Sequence, residues 1–157
     1  MKRDKGCPTK VKFNTNRNKM KKITLSILFL FCSYFSIAQE KEIKAVLEKQ
    51  RLDWNNGDMI GYMQGYIKSD SLVFVGKTGP FYGWQKNLEI YQQVYPDKAA
   101  MGTLIFDIKQ IKMIDKKHAF VLGAWNLQME KGEQKGFFTL LVEKFKEGWK
   151  IVVDHSS

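Results

Sequence analysis

The chain has little cysteine and little histidine. Its two cysteines, Cys7 and Cys32, both precede residue 39, so residues 39–157 have no thiol for a disulfide, a nucleophile or a metal ligand. The two histidines, His118 and His155, are too few for a zinc site without cysteine. A glycine-rich phosphate loop and the HExxH and GxSxG motifs are absent as well. We therefore expect neither a metal nor a cofactor.

Acidic residues are scarce only at the start of the chain. Nine of the 26 basic residues but one of the 16 acidic residues precede Gln39, so the net charge of +10 falls to +2 for residues 39–157. A nearly neutral domain lacks the basic surface that is typical of nucleic-acid binding. We predict no nucleic-acid partner.

The one long apolar segment, ITLSILFLFCSYFSIA, follows three lysines and ends in small residues. This pattern is typical of a secretory signal peptide, here residues 20–38, with cleavage between Ala38 and Gln39. The segment is shorter than the ~20 residues of a membrane-spanning helix, so we expect no membrane attachment after cleavage. Residues 1–19 show no apolar periodicity and are predicted to be disordered, with Met20 as an alternative start. The domain is predicted to be exported, to the periplasm or the medium.

Residues 39–157 change from helical to strand periodicity along the chain. Apolar spacing predicts helices at 40–56, 59–67 and 84–95, with Asp58 as the N-cap of the second. Strands are predicted at 72–76, 103–113, 118–129, 137–145 and 149–155, separated by charged or glycine-containing turns. Helices followed by hairpins indicate one α+β domain in which a curved antiparallel sheet wraps the helices.

Four stretches of this domain carry a family resemblance. WNNGD at 54–58, GPFYGWQKNLE at 79–89, GAWNL at 123–127 and the ending GWKIVVDHSS resemble the nuclear transport factor 2-like superfamily. The chain is most similar to small bacterial SnoaL-like proteins of the kind called domain of unknown function 4440. The resemblance implies a cone-shaped, cystatin-like α+β domain with a deep pocket, and a homodimer through the outer face of its sheet.

The same resemblance leaves the reaction open. Ketosteroid isomerase and polyketide cyclases share this scaffold with non-enzymatic carriers and assembly modules, so the fold alone implies no chemistry. Relatives often carry an arginine where this chain has Ala124. The absence of that cation disfavours an anionic ligand.

The turns predict a strand register. A three-residue loop at 146–148 places Thr139 opposite His155, and a hairpin centred on Gly132 places Trp125 opposite Thr139. These three side chains would form one row on the concave face, with Asp154 on the opposite face, at the surface or in a dimer interface. A slip of one residue would invert this assignment.

His155 is the candidate catalytic residue in that row. An imidazole at the end of an apolar pocket face has a pKa near neutrality and can act as a general base or donate a hydrogen bond. The alternative is a histidine whose hydrogen bonds are satisfied by Thr139 or by the backbone.

Aromatic side chains on the helices and on the loop at 79–83 are candidates for a ligand pocket. The alternative for most of them is ordinary core packing. The predicted pocket residues are Trp54, Tyr62, Tyr82, Trp84, Trp125, Thr139 and His155.

Three functions fit these residues. The first is binding of a small, largely apolar molecule without chemical change. The second is an isomerase, cyclase or dehydratase with His155 as base and Tyr62 or Tyr82 as hydrogen-bond donor. The third is an association module that uses an apolar outer sheet face, predicted at Phe138, Leu140, Val142 and Val152.

Overall fold

The computed structural model describes residues 37–157, of which residues 38–157 form one compact unit. The predicted N-terminal extension and residues 20–36 of the predicted signal lie outside the described residues. No helix in the described part of the chain has the length and apolar character needed to cross a membrane.

Four helices lie in this region: α1 at residues 37–55, α2 at Met59–Met63, α3 at Trp84–Val94 and α4 at Lys98–Met101. As predicted, α1 ends before Asn56-Gly57, where Gly57 has a φ of +80°. Asp58 caps α2, because its carboxylate accepts a 2.7 Å hydrogen bond from the Gly61 backbone N–H. Helix α2 is shorter than predicted, and α4 was not predicted.

Six strands form a single curved sheet. They are β1 at Val73–Gly76, β2 at Gly79–Tyr82, β3 at Thr103–Met113, β4 at His118–Met129, β5 at Gly132–Phe145 and β6 at Gly148–Ser156. Their order across the sheet is β2-β1-β6-β5-β4-β3. All neighbours are antiparallel except β1 and β6, which are parallel. The α+β architecture is confirmed, but the sheet is mixed rather than antiparallel.

The hairpin between β5 and β6 differs from the predicted one. Phe145 pairs with Gly148, so the loop has two residues instead of three. A bulge follows at Val152, because Val142 pairs with Ile151 whereas the preceding β5 residue, Leu141, pairs with Val153. The extra residue compensates for the shorter loop.

The bulge lies where the edge of β6 opposite β5 changes its partner, from residues 65–67 to strand β1. The Ile67 N–H donates to the Ile151 carbonyl at 2.9 Å, and the Ile151 N–H donates to the Gly65 carbonyl at 2.9 Å. One residue past the bulge, Val153 pairs with Val73 of β1. Residues 65–67 leave the helical conformation to make the first contacts, which explains why α2 is short.

Because a bulge reverses the alternation of side chains, β6 presents two different sets of residues to the helices. Trp149 and Ile151 face inward before it, and Asp154 and Ser156 face inward after it. His155 faces outward and is exposed. The prediction placed His155 on the inner face and Asp154 on the outer face. It is therefore wrong, because the two side chains face the opposite ways.

The two faces of β5 are also reversed relative to the prediction. Phe138, Leu140 and Val142 are buried in the core against the helices instead of lying on the outer face. Each face of this strand carries large apolar residues, since Phe137 and Leu141 lie on the outer face, so these residues alone do not show which face is the inner one. The shorter hairpin loop decides which set faces inward.

Candidate functional site

A cavity of about 160 Å³ lies between the helices and the inner face of the sheet. A cavity of this size holds roughly one benzene-sized molecule. Within residues 37–157, nine of the 17 lining residues are aromatic, and Asp154 is the only one with a formal charge. The lining residues are Leu47, Gln50, Trp54, Tyr62, Tyr66, Phe74, Tyr91, Tyr95, Leu104, Phe106, Trp125, Leu127, Phe138, Leu140, Ile151, Asp154 and Ser156.

The cavity is partly open to solvent. Most of its lining is buried, but six lining residues are partly exposed: Phe74, Tyr91, Tyr95, Phe106, Trp125 and Ser156. Aromatic rings thus surround the entrance as well as the interior.

Trp54 on α1 anchors the aromatic wall. Its indole N–H donates a 2.9 Å hydrogen bond to the Met101 carbonyl, which holds the ring in one orientation. The rings of Tyr62 and Tyr95 pack edge-on against it at centroid distances of 5.0 and 4.9 Å. Edge-to-face pairs of this kind add to the stabilisation from burial. The wall is therefore held in place by α1, α2 and α3 together.

Asp154 provides the polar end of the cavity. It is 4% exposed, and its strand neighbours on the inner face are Leu140 and Phe74. One carboxylate oxygen accepts a 2.8 Å hydrogen bond from the Tyr66 hydroxyl, and the other accepts one of 2.8 Å from the Ser156 hydroxyl. Both donors belong to residues that also line the cavity.

Burial controls the ionisation of this carboxyl. Loss of solvation raises the pKa of Asp154 to about 6, although the hydrogen bonds from Tyr66 and Ser156 and the nearby His155 act in the opposite direction. At neutral pH the group is mostly ionised.

The tyrosines beside Asp154 remain hydrogen-bond donors. The hydroxyls of Tyr62 and Tyr66 lie 3.2 Å apart, and Tyr66 bonds to the carboxylate. Burial and the negative charge of Asp154 raise the pKa of both tyrosines and of Tyr91. The resulting chain of groups, Tyr62, Tyr66 and Asp154, can hold or move a proton within the cavity.

Trp125 contributes a donor without a partner. Its indole nitrogen is buried and makes no hydrogen bond with any group in residues 37–157. Gly136 pairs with Trp125 across the strands, and a Cβ at that glycine would lie 3.0 Å from the indole nitrogen. An unsatisfied buried donor is costly, so this N–H would gain from an acceptor.

The structure brings three of the predicted pocket residues together: Trp54, Tyr62 and Trp125 line the cavity. Tyr82 is 61% exposed on β2 and lies away from it. Trp84 is buried, but its indole N–H donates to the Met63 carbonyl at 2.8 Å and the residue does not line the cavity.

The predicted row on the concave face does not form. Thr139 and His155 do pair, as predicted, but on the outer face of the sheet. Trp125 pairs with Gly136 instead of Thr139. The general-base role of His155 in the cavity is therefore not compatible with its position.

Sequence reasoning missed Asp154 and the hydroxyl of Tyr66 as site groups. The signal was present in the ending IVVDHSS, where a single carboxylate interrupts an apolar strand. Burying a carboxylate is costly, so such a residue is usually either exposed or functional.

The described residues contain no group of three or more histidine, cysteine, aspartate or glutamate side chains placed to hold a metal ion. The cavity lining likewise includes no lysine, arginine or histidine among residues 37–157.

Several solved structures have a similar fold. A nuclear transport factor 2-like protein of unknown function from Shewanella oneidensis MR-1 is 42% identical, with a TM-score of 0.73 over 75% of this chain and 98% of its own. A cystatin-like domain of unknown function from Nostoc punctiforme is 18% identical, with a TM-score of 0.65 over 76% of each chain. A nuclear transport factor 2-like superfamily protein from Salmonella enterica is 16% identical, with a TM-score of 0.62 over 78% of this chain and 92% of its own. No curated protein matches the sequence.

Helices packed on a curved mixed sheet around an internal cavity define the nuclear transport factor 2-like class of fold. The sequence model of the SnoaL-like domain family matches residues 43–157 of this chain. The chain belongs to the SnoaL-like domain family within the nuclear transport factor 2-like superfamily.

Proposed function

We propose that this domain binds a small, largely apolar molecule in the aromatic cavity. The observation that carries the proposal is the composition of the lining: nine aromatic residues surround a space of about 160 Å³ with a hydrogen-bonded carboxylate at one end. Apolar walls with a few placed polar groups are typical of ligand sites. Asp154 and Trp125 would orient the ligand by its polar atoms.

Thermal unfolding in the presence of benzyl alcohol tests this proposal. A ligand that binds only the folded protein raises its melting temperature with concentration. Leu140 lines the cavity beside Asp154, so Leu140→Phe should fill the space and abolish the rise.

Leu88→Phe is the matched control, since Leu88 is buried in α3 but does not line the cavity. The proposal requires a rise for the wild type and for Leu88→Phe that is lost in Leu140→Phe. An equal response of all three proteins, or no response, would contradict it.

A second candidate function is an isomerase-type or dehydratase-type enzyme. The observation that favours it is the buried carboxyl of Asp154, whose pKa of about 6 suits a group that accepts and returns a proton near neutral pH. Asp154 takes the place of His155 in this scheme, and Tyr66 supplies a neighbouring hydroxyl.

Exchange of the methyl protons of acetophenone in D₂O, followed by NMR, tests this candidate. The carboxylate would remove a proton next to the carbonyl, and the enolate would then take a deuteron from the exchanged group. Wild type should accelerate the exchange and Asp154→Asn should not. A wild-type rate equal to that of buffer would exclude this chemistry for the probe.

We propose further that two copies associate through the outer face of the sheet. Phe120, Leu141 and Val153 pair across β4, β5 and β6 on this face. Phe137, which lies on the same face nearer the start of β5, is 60% exposed. Exposed apolar patches of this kind are typical of interaction surfaces. Size-exclusion chromatography with light scattering would detect the dimer.

Export with cleavage between Ala38 and Gln39 is also proposed. Ala38 is exposed, whereas Gln39 is buried and its side-chain amide donates to the Lys116 carbonyl at 2.9 Å. Cleavage before Gln39 would thus leave this contact in place. The mass of the protein recovered from its native host would show whether its first residue is Gln39.

A further inference from the structure

We infer that the molecule bound in the cavity carries a positively charged nitrogen, so that an organic amine is preferred over a neutral or anionic compound of the same size. This inference rests on the proposed ligand-binding function and concerns the same cavity. It follows from the charge of the lining, from the free acceptor capacity of Asp154 and from the aromatic character of the walls.

The charge of the lining is negative. Asp154 is the only lining residue with a formal charge among residues 37–157, and no basic side chain lines the cavity to neutralise it. A charge of opposite sign within ~4–6 Å favours the ionised form of a carboxyl, and a like charge disfavours it. An ammonium group would therefore stabilise the carboxylate, and a carboxylate or phosphate ligand would be repelled.

The carboxylate also has room for another donor. Its two oxygens accept one hydrogen bond each, from Tyr66 and from Ser156. An ionised carboxylate has about four lone-pair sites, so about two remain. An ammonium N–H can donate to one of these lone pairs. The resulting charge-assisted hydrogen bond is stronger than one from a neutral donor.

The aromatic walls suit a cation as well. Rings attract a positive charge placed over their faces, most strongly when the charge is removed from water. Tyr91 and Tyr95 stack at the entrance with centroids 6.0 Å apart, and Trp54 packs against both. A cation that enters over the exposed face of one of these rings keeps a favourable environment as it loses water.

Three single-ring probes of similar size separate charge from shape: benzylamine, benzyl alcohol and benzoate. Isothermal titration calorimetry at pH 7.5 should show benzylamine binding at least ~10-fold more tightly than benzyl alcohol, with benzoate weakest. Asp154→Asn keeps the shape of the side chain and removes its charge, so it should abolish the advantage of benzylamine over benzyl alcohol.

Proton release gives a second readout that needs no variant. Benzylamine would bind the ionised form of Asp154, whose pKa is about 6 in the free protein. Binding near pH 6 should then release protons, seen as a heat that depends on the ionisation enthalpy of the buffer, and benzyl alcohol should release none. The other titratable groups near Asp154 are the hydroxyls of Tyr62, Tyr66 and Tyr91, which stay protonated, and the His155 imidazole on the opposite face.

His155→Gln serves as the control for that imidazole and should leave the proton release unchanged. Equal affinities for benzylamine and benzyl alcohol, or an amine advantage that survives Asp154→Asn, would overturn this inference and leave the binding function intact. Failure of all three probes to bind would overturn both.

Discussion

The Tyr66 hydroxyl donates a 2.8 Å hydrogen bond to the carboxylate of Asp154, a residue 88 positions later in the chain. Tyr66 follows α2, and Asp154 lies past the bulge in β6. This contact joins the helical layer to the sheet at the polar end of the cavity. It also lowers the pKa of Asp154 against the effect of burial.

Tyr66→Phe removes this donor and leaves a buried carboxylate with one hydrogen bond fewer. The free energy of unfolding at pH 7.5 should fall by about 1–3 kcal/mol, the usual cost of losing a hydrogen bond to a charged group. Urea denaturation followed by tryptophan fluorescence measures this change. Tyr82→Phe, at an exposed position, should change the stability by less than about 0.5 kcal/mol. Equal effects of the two substitutions would show that the Tyr66 contact adds nothing.

The stability of the domain should depend on pH through Asp154. Burial raises the pKa of this group from 3.8 to about 6, so the folded protein binds the proton more tightly than the unfolded chain. Its contribution to the free energy of unfolding therefore falls as pH rises from 3.8 to about 6 and is constant above that range. The shift corresponds to about 3 kcal/mol.

The Asp154→Asn variant has no titratable group at this position. The difference between its free energy of unfolding and that of wild type, followed against pH, therefore isolates the contribution of Asp154. Urea denaturation between pH 4 and pH 8 should show the variant gaining about 2.5 kcal/mol relative to wild type, since the remainder of the effect lies below pH 4. A constant difference would mean that the carboxyl has an ordinary pKa and is not buried.

The sequence was sufficient to predict the long elements of the fold. Strands β3 and β4 have the predicted bounds, Thr103–Met113 and His118–Met129, because their ends coincide with clear turn residues. Strand β2 was missed because Gly79-Pro80 is typical of a loop, and its short pairing with β1 depends on the neighbouring sheet. The parallel contact between β1 and β6 joins distant segments and leaves no local signal.

The candidate site was only partly predictable for a similar reason. Trp54 and Tyr62 were predicted to line the cavity because they are aromatic residues on the helices, and Trp125 was predicted from the strand register that the turns indicate. Asp154 faces the cavity instead of His155 because one extra residue, Val152, is inserted in β6 within the apolar run Ile151-Val152-Val153. Any of these side chains can face either way, so the bulge has no signature in the sequence.

His155→Ala should leave the lining and the shape of the cavity unchanged. The imidazole is exposed on the outer face of the sheet, so the free energy of unfolding should change by less than about 0.5 kcal/mol. Binding of benzyl alcohol, measured by calorimetry, should match that of wild type. A loss of binding in this variant alone would place His155 in the site after all.

Phe137→Lys should dissociate the proposed dimer. Placing a charge in an apolar interface requires its desolvation, whereas Phe137 is already 60% exposed in the single chain and its replacement should leave the fold intact. Light scattering should report a monomer. Leu52→Lys, at a position 46% exposed on α1, should remain dimeric. If wild type itself is monomeric at micromolar concentration, the dimer proposal is wrong.

The four tryptophans provide the most direct test of the binding site. Trp54 and Trp125 line the cavity, whereas Trp84 and Trp149 do not. Each indole N–H gives its own signal in a ¹H–¹⁵N spectrum, so a titration with benzyl alcohol reports on all four positions at once. We predict saturable shifts of the Trp54 and Trp125 signals with the other two unchanged. Shifts confined to Trp84 or Trp149, or no shift at any position, would contradict the proposal that this cavity binds a ligand.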